Sequence, residues 1–97
     1  MTRSEIERKM KDSLPDLKKE FKVKSIGIFG SVARNSGTSK SDIDILVEFG
    51  KGHKDFFNYI HLKEYLEKLL KADIDLVIKE AVKPKLKEII LREVRYV

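Results

Sequence analysis

Between residues 2 and 22, apolar side chains fall at Ile6, Met10, Leu14, Leu17 and Phe21. Spacings of four and three place them on one face of a helix. Pro15 interrupts the run, so either the helix kinks there, or one helix ends at Ser13 or Leu14 and Pro15 takes the first turn of the next. Residues 23–29 are short, β-branched and bounded by Lys-rich sequence and Gly30, the pattern of a strand. A helical turn over 31–34 follows, then a Ser/Gly/Asn/Thr-rich surface loop over 35–41. A second strand is predicted over 42–49 and is closed by Gly50-Lys51-Gly52. Residues 54–71 read as a helix with Phe56, Tyr59, Ile60, Leu62, Leu66, Leu69 and Leu70 on an apolar face wide enough to cover a sheet. A third strand occupies 74–78, and Pro84 opens a last helix that buries Leu86, Ile89 and Ile90, with Val94 near its end.

Helices alternating with strands predict an α/β (α+β) chain, a small mixed sheet flanked by helices on one or both faces. At 97 residues it is expected to form one domain, 1–97, with no room for a separate acceptor-binding domain. No long apolar run or charged-then-apolar leader is legible, so the expected compartment is the cytoplasm, with no membrane partner. The absence of cysteine rules out disulfides, a thiol nucleophile and thiolate zinc sites, which leaves oxygen ligands for any metal. The net charge of +5 arises from basic residues interspersed with acids, so solubility explains it better than a nucleic-acid tract. Lys/Glu enrichment without Gln or Trp resembles thermophile composition.

Against this background the segment from Gly30 to Asp44 stands out. Gly30 permits backbone geometry or a close approach that a Cβ would block, and Ser31 sets a hydroxyl beside N–H groups exposed at a helix start, a turn able to hold phosphate oxygens. Ten residues later, Asp42 and Asp44 lie on one face of a predicted strand, about 7 Å apart, while Ile43 and Ile45 face the other way. Asp is disfavoured in strands, and two in an apolar strand break local propensity with no structural gain. Their mutual repulsion would be relieved by a cation, and Mg²⁺ suits carboxylate oxygens supplemented by substrate phosphates. A third carboxylate is offered by Asp75, inside the apolar run Ile74–Ile78, with Asp73 as rival, although a place at the start of the strand suits capping or solvation.

The elements Ile28-Phe29-Gly30-Ser31-Val32-Ala33-Arg34, Ser41-Asp42-Ile43-Asp44 and Ile74-Asp75-Leu76-Val77 resemble those of the minimal nucleotidyltransferases of the DNA polymerase beta superfamily. The resemblance extends from the first helix to Tyr96. It implies the nucleotidyltransferase fold and Mg²⁺-dependent transfer of a nucleoside monophosphate from a nucleoside triphosphate. Many such proteins are antitoxins whose partner is a helical HEPN-domain toxin. On this resemblance Gly30, Ser31, Arg34 and Ser41 contact the nucleotide, and Asp42, Asp44 and Asp75 are the catalytic, metal-binding acids. Two Mg²⁺ ions about 3.5–4 Å apart are implied, with ATP as substrate and Arg34 or Lys40 offsetting developing charge. Arg34 reads equally well as a solvated surface residue. Asn35 stands where a glycine is frequent, and Asn tolerates left-handed geometry.

The implied function is transfer of AMP to a hydroxyl of the partner toxin. The alternatives are an antitoxin that acts by binding alone, with a relict nucleotide site, and a nucleotidyltransferase acting on RNA or a small molecule. A homo-oligomer is compatible with all three. His53 and His61 lack partners at zinc spacing and read as exposed or packing residues. Phe56, Phe57, Tyr59 and Tyr65 read as core or partner contacts, and Lys83, Lys85, Lys87, Arg92 and Arg95 as a solvated helix face.

Overall fold

A computed structural model describes residues 1–35 and 42–97 of the chain. The first helical run is broken, not kinked: α1 spans Arg3–Asp12 and α2 spans Leu14–Glu20. Ser13 caps both, and Pro15 sits in the first turn of α2, where its missing N–H costs no helical bond. The start of α1 is fixed by a capping box that the periodicity did not reveal. Thr2 Oγ1 accepts from the Glu5 N–H at 3.2 Å, and the Thr2 N–H donates to Glu5 Oε1 at 3.2 Å.

Four strands form one sheet: β1 Val23–Phe29, β2 Ile43–Phe49, β3 Ile74–Ile78 and a two-residue β4, Arg95–Tyr96, in the order β3-β2-β1-β4. β1 runs antiparallel to β2 and β4, whereas β2 and β3 are parallel, so the sheet is mixed as expected. A short α3, Gly30–Ala33, follows β1, and α4, Phe56–Leu70, supplies the crossover that a parallel β2–β3 pair requires. Lys71, at φ 50°, ends α4 in the left-handed conformation. A 3₁₀ turn, Lys79–Ala81, leads to α5, Pro84–Glu93.

Alternation along the strands divides the sheet into two faces. Ile26 and Ile28 of β1, Ile43, Ile45 and Val47 of β2, and Ile74 and Leu76 of β3 join Ile6, Met10, Leu17, Leu62, Leu66 and Leu70 in one core. Helices α1, α2 and α4 therefore cover that face. Tyr59 and Tyr65 pack against this core; the Tyr59 hydroxyl donates to the Leu76 carbonyl at 2.6 Å, and the Tyr65 ring lies 5.2 Å from that of Phe21. The opposite face carries Asp44 and its in-register neighbour Asp75. On that side Leu86 and Ile90 of α5, with Phe29 and Val77, line a groove of about 430 Å³ beside Asp75.

Three expectations fail, the first two over area and the third over which element a residue joins. Leu86 and Ile89 are 56% exposed instead of buried, leaving Ile90 half-buried, because the apolar stripe of α5 is wider than the strip of sheet beneath it. Phe56, expected on the sheet-covering face of α4, is 70% exposed and meets the equally exposed Phe57 edge to face, which leaves for both the partner contact that was the alternative to a place in the core. Arg95 is not on a helix face: it begins β4 and its Nε donates to Glu7 Oε1 of α1 at 2.6 Å. His53 and His61 are exposed, as expected. Among the described residues no helix is long and apolar enough to cross a membrane.

Candidate nucleotidyl-transfer site

The strand register assembles the site. Phe29, the last residue of β1, pairs with Asp44 on β2, and Asp44 pairs with Asp75 on the parallel neighbour β3. The Gly-Ser turn leaving β1 thus meets both acids at one end of the central strands. In-register residues on adjacent strands share a face, so the Asp44 and Asp75 side chains emerge together. Asp42 precedes β2, one residue outside its expected strand, and is exposed.

Gly30 shows why the turn needs glycine. Its φ of +73° lies in the left-handed region, and a Cβ added there would fall onto the Asp44 carboxylate. The backbone of the turn is therefore packed directly against the Asp44 carboxylate. Asn35 closes the α3 turn at φ 60°, so it does adopt the left-handed conformation that a glycine would supply. Ser31 is half-buried within α3, and Arg34 caps that helix, its N–H donating to the Gly30 carbonyl at 3.1 Å.

Electrostatics single out Asp44. Burial, then the charge of Asp75, a hydrogen bond with Asp75, and the charges of Asp42 and Glu93 push its carboxyl from 3.8 up to about 6. Three carboxylates therefore act on a fourth, and neutralising that crowding is what a divalent cation would do. Among the described residues no three acidic or histidine side chains already converge as a metal cage. Mg²⁺ requires none, being held by one or two carboxylates and the phosphates of its substrate, and the all-oxygen donor set fits it.

The structure also separates Asp75 from its rival. Asp73 lies before β3, where its carbonyl accepts from the Ile43 N–H at 3.0 Å, and it does not contribute to the raised pKa of Asp44. Asp75→Asn is expected to reduce transfer at least about tenfold and Asp73→Asn to leave it within about twofold, as steady-state kinetics would show. Equal losses would reverse the assignment.

Two assigned residues, Ser41 and the accessory Lys40, lie outside the described residues. Arg34 is exposed, as a solvated residue would be, yet it is paired: its Nη1 donates to Glu93 Oε2 at 2.7 Å. Glu93 also accepts from the Gly30 N–H, through Oε1 at 3.0 Å. Sequence reasoning missed this residue entirely. The available signal was the strand-like Val94-Arg95-Tyr96 after α5, which returns the chain beside β1.

The nucleotidyltransferase domain family matches residues 8–97. MJ0128 of Methanocaldococcus jannaschii is 48% identical, over 99% of this chain and 98% of that protein. Protein adenylyltransferase MntA of Thermococcus cleftensis is 40% identical, over 100% of this chain and 97% of that protein. Among solved structures, a minimal nucleotidyltransferase superposes with a TM-score of 0.84 at 32% identity, covering 98% of this chain and 95% of the other. An MNT antitoxin, solved with the tri-AMPylated HEPN toxin of Shewanella oneidensis, shares the fold at a TM-score of 0.65 and 22% identity, covering 93% and 70% of the two chains. The fold, the matched residues and these relatives establish that the chain belongs to the nucleotidyltransferase domain family, as a minimal nucleotidyltransferase.

Proposed function

We propose that this chain is the antitoxin of a HEPN-type toxin, acting as one cytoplasmic domain that transfers AMP from ATP to a hydroxyl of that toxin. The observation carrying this reading is the packing of the Gly30 turn against Asp44, with Asp75 in register beside it. A relative bearing the name protein adenylyltransferase and a neighbouring fold solved with an AMPylated HEPN toxin support the donor and the partner. Apolar side chains left exposed at Phe56, Phe57, Leu86 and Ile89 suit a protein acceptor better than RNA, whose phosphates call for clustered cations.

In this mechanism Asp44 and Asp75, with Asp42 beside them, would hold Mg²⁺ together with the phosphates of the bound nucleotide. When bound, the metal supplies Lewis-acid stabilisation of the triphosphate and lowers the pKa of the attacking hydroxyl. Ser31 and the turn that Gly30 opens orient the β- and γ-phosphates, while Arg34 lies near enough to that turn to offset developing charge. The acceptor oxygen attacks the α-phosphorus in line, a new P–O bond forms, and pyrophosphate leaves with the electron pair of the broken bond. Asp75, or a water beside it, accepts the hydroxyl proton. The turn and the acids meet without an intervening element, so the α-phosphorus is positioned by the same backbone that aligns the carboxylates.

Incubating the protein with its purified HEPN partner and Mg²⁺–ATP tests the proposal. Mass spectrometry should find whole adenylyl groups on a hydroxyl side chain of the toxin, and none with Asp44→Asn. Neutralisation of the toxin by both forms without any mass change would instead establish the binding-only antitoxin, and labelled RNA would establish an RNA acceptor.

A further inference from the structure

The connection between the last helix and the phosphate turn is short, charged and unexplained by the fold alone. Glu93 ends α5 and spans two groups of the turn with one carboxylate, the Gly30 N–H at 3.0 Å and the Arg34 guanidinium at 2.7 Å. The chain immediately beyond is anchored. Arg95 and Tyr96 pair with Ile28 and Gly27 of β1, the Val97 N–H donates to the Ile26 carbonyl at 3.1 Å, and Arg95 is bound to Glu7. Gly27 admits this return, since a Cβ there would lie 2.6 Å from the Arg95 carbonyl oxygen. At the other end of α3, Arg3 of α1 donates to the Ala33 carbonyl at 2.9 Å. The four-residue α3 is thus gripped by an acid at its first residue and a base at its last, the arrangement that opposes its peptide dipoles.

We infer that Glu93 is a positioning residue of the nucleotide site, its carboxylate fixing both the orientation of the Gly30–Ser31 turn and the direction in which Arg34 presents its guanidinium. This rests on the proposed nucleotide role of that turn. A fold-stabilising acid could bond anywhere on the sheet, whereas Glu93 bonds to the backbone N–H that precedes Ser31 and to Arg34, the cation of the same turn assigned to developing charge. The Gly30 N–H is committed to the carboxylate, so phosphate contacts fall to the residues after it, and Glu93 determines how those residues face. Among the described residues Arg34 is engaged through Nη1, and the rest of the planar guanidinium faces no partner among them. Glu93 touches neither the metal nor the acceptor in this scheme and acts through the turn.

The test is binding of Mg²⁺ with a fluorescent ATP analogue to the full chain and to Glu93→Ala, Glu93→Gln, Arg34→Ala and the double variant Glu93→Ala/Arg34→Ala. Amide hydrogen exchange at Gly30 and thermal melting are measured in parallel. Glu93→Ala is expected to weaken nucleotide binding about tenfold or more and to speed exchange at Gly30. Glu93→Gln, which keeps an acceptor for the Gly30 N–H, should recover part of the loss. The double variant should bind no worse than the weaker single one, because the two residues act as a unit. A folded Glu93→Ala chain that lowers the melting temperature but binds nucleotide within twofold of wild type overturns the inference, as do additive losses. Tighter binding by Glu93→Ala overturns it too, since the carboxylate would then compete with phosphate. If Glu93→Ala does not fold, Glu93→Gln decides: unchanged nucleotide binding and unchanged Gly30 exchange reject the positioning role. Wild-type protein that binds Mg²⁺–ATP but transfers no AMP sinks the proposed function alone, leaving the Glu93 comparison intact in the binding constants. Wild-type protein that binds no nucleoside triphosphate overturns both.

Discussion

Asp44→Asn is expected to reduce nucleotidyl transfer at least about 10³-fold while making the nucleotide-free protein more stable than wild type. The opposing effects share one cause. In the folded chain the Asp44 carboxyl is raised to about 6 by burial and by the neighbouring charges of Asp75, Asp42 and Glu93. Unfolded, the same group titrates near 3.8. Between those values the folded form binds the extra proton, so stability falls as pH rises through this window, and the deficit is complete above about 6. Asparagine removes the charge and with it the deficit. Asp44 is only half-buried and screened by solvent, so the expected gain at neutral pH is on the order of 1 kcal/mol. Chemical denaturation at several pH values checks it: the wild-type midpoint should decline from about pH 4 to 6, and the Asp44→Asn midpoint should be flatter across that range. An Asp44→Asn chain that is less stable at pH 7, or still active, would show that the acid serves the fold and not the chemistry.

Gly30→Ala carries the second large effect, a loss of about 2–3 kcal/mol in stability together with most of the transfer activity. The two contributions are separable. A φ of +73° costs an L-residue about 1 kcal/mol, and the added Cβ would overlap the Asp44 carboxylate, forcing the turn and the acid apart. Placing Gly30→Ala in an Asp44→Ala background removes the carboxylate and leaves only the backbone strain. The two substitutions should therefore be coupled by about 1 kcal/mol in a double-mutant cycle of urea denaturation. Strict additivity would mean that the turn does not rest on Asp44.

The neighbourhood of Asp44 and Asp75 was more legible in the sequence than the surface around it. Both acids violate the apolar character of their strands, and a violation with no structural return is visible in one dimension. The two-residue period then placed Ile43, Ile45 and Val47 on one face, where the core lies, and Asp44 on the other. Pro15 marked an interruption because proline chemistry is local, but a kink and a break at Ser13 or Leu14 stayed open until the structure showed the break at Ser13. What failed was whether an apolar stripe is covered. The spacing of Leu86, Ile89 and Ile90 is that of a buried helix face, but burial depends on how much sheet the fold puts beneath it, and the spacing carries no record of that. Phe56 illustrates the same limit at the start of α4. Glu93 was missed for another reason: its partners, Gly30 and Arg34, lie about sixty residues away, and the strand-like Val94-Arg95-Tyr96 that returns the chain beside β1 forms a β4 of two residues, too short to carry a periodic pattern.

The most direct test of the central claim is transfer from ATP labelled at the α-phosphate, run beside γ-labelled ATP, with Mg²⁺, the partner protein and an Asp42→Asn/Asp44→Asn control. The account predicts label entering a discrete protein from the α-labelled nucleotide alone, and only when both acids are intact. Label entering from the γ-labelled nucleotide, or transfer that survives loss of both acids, would contradict it.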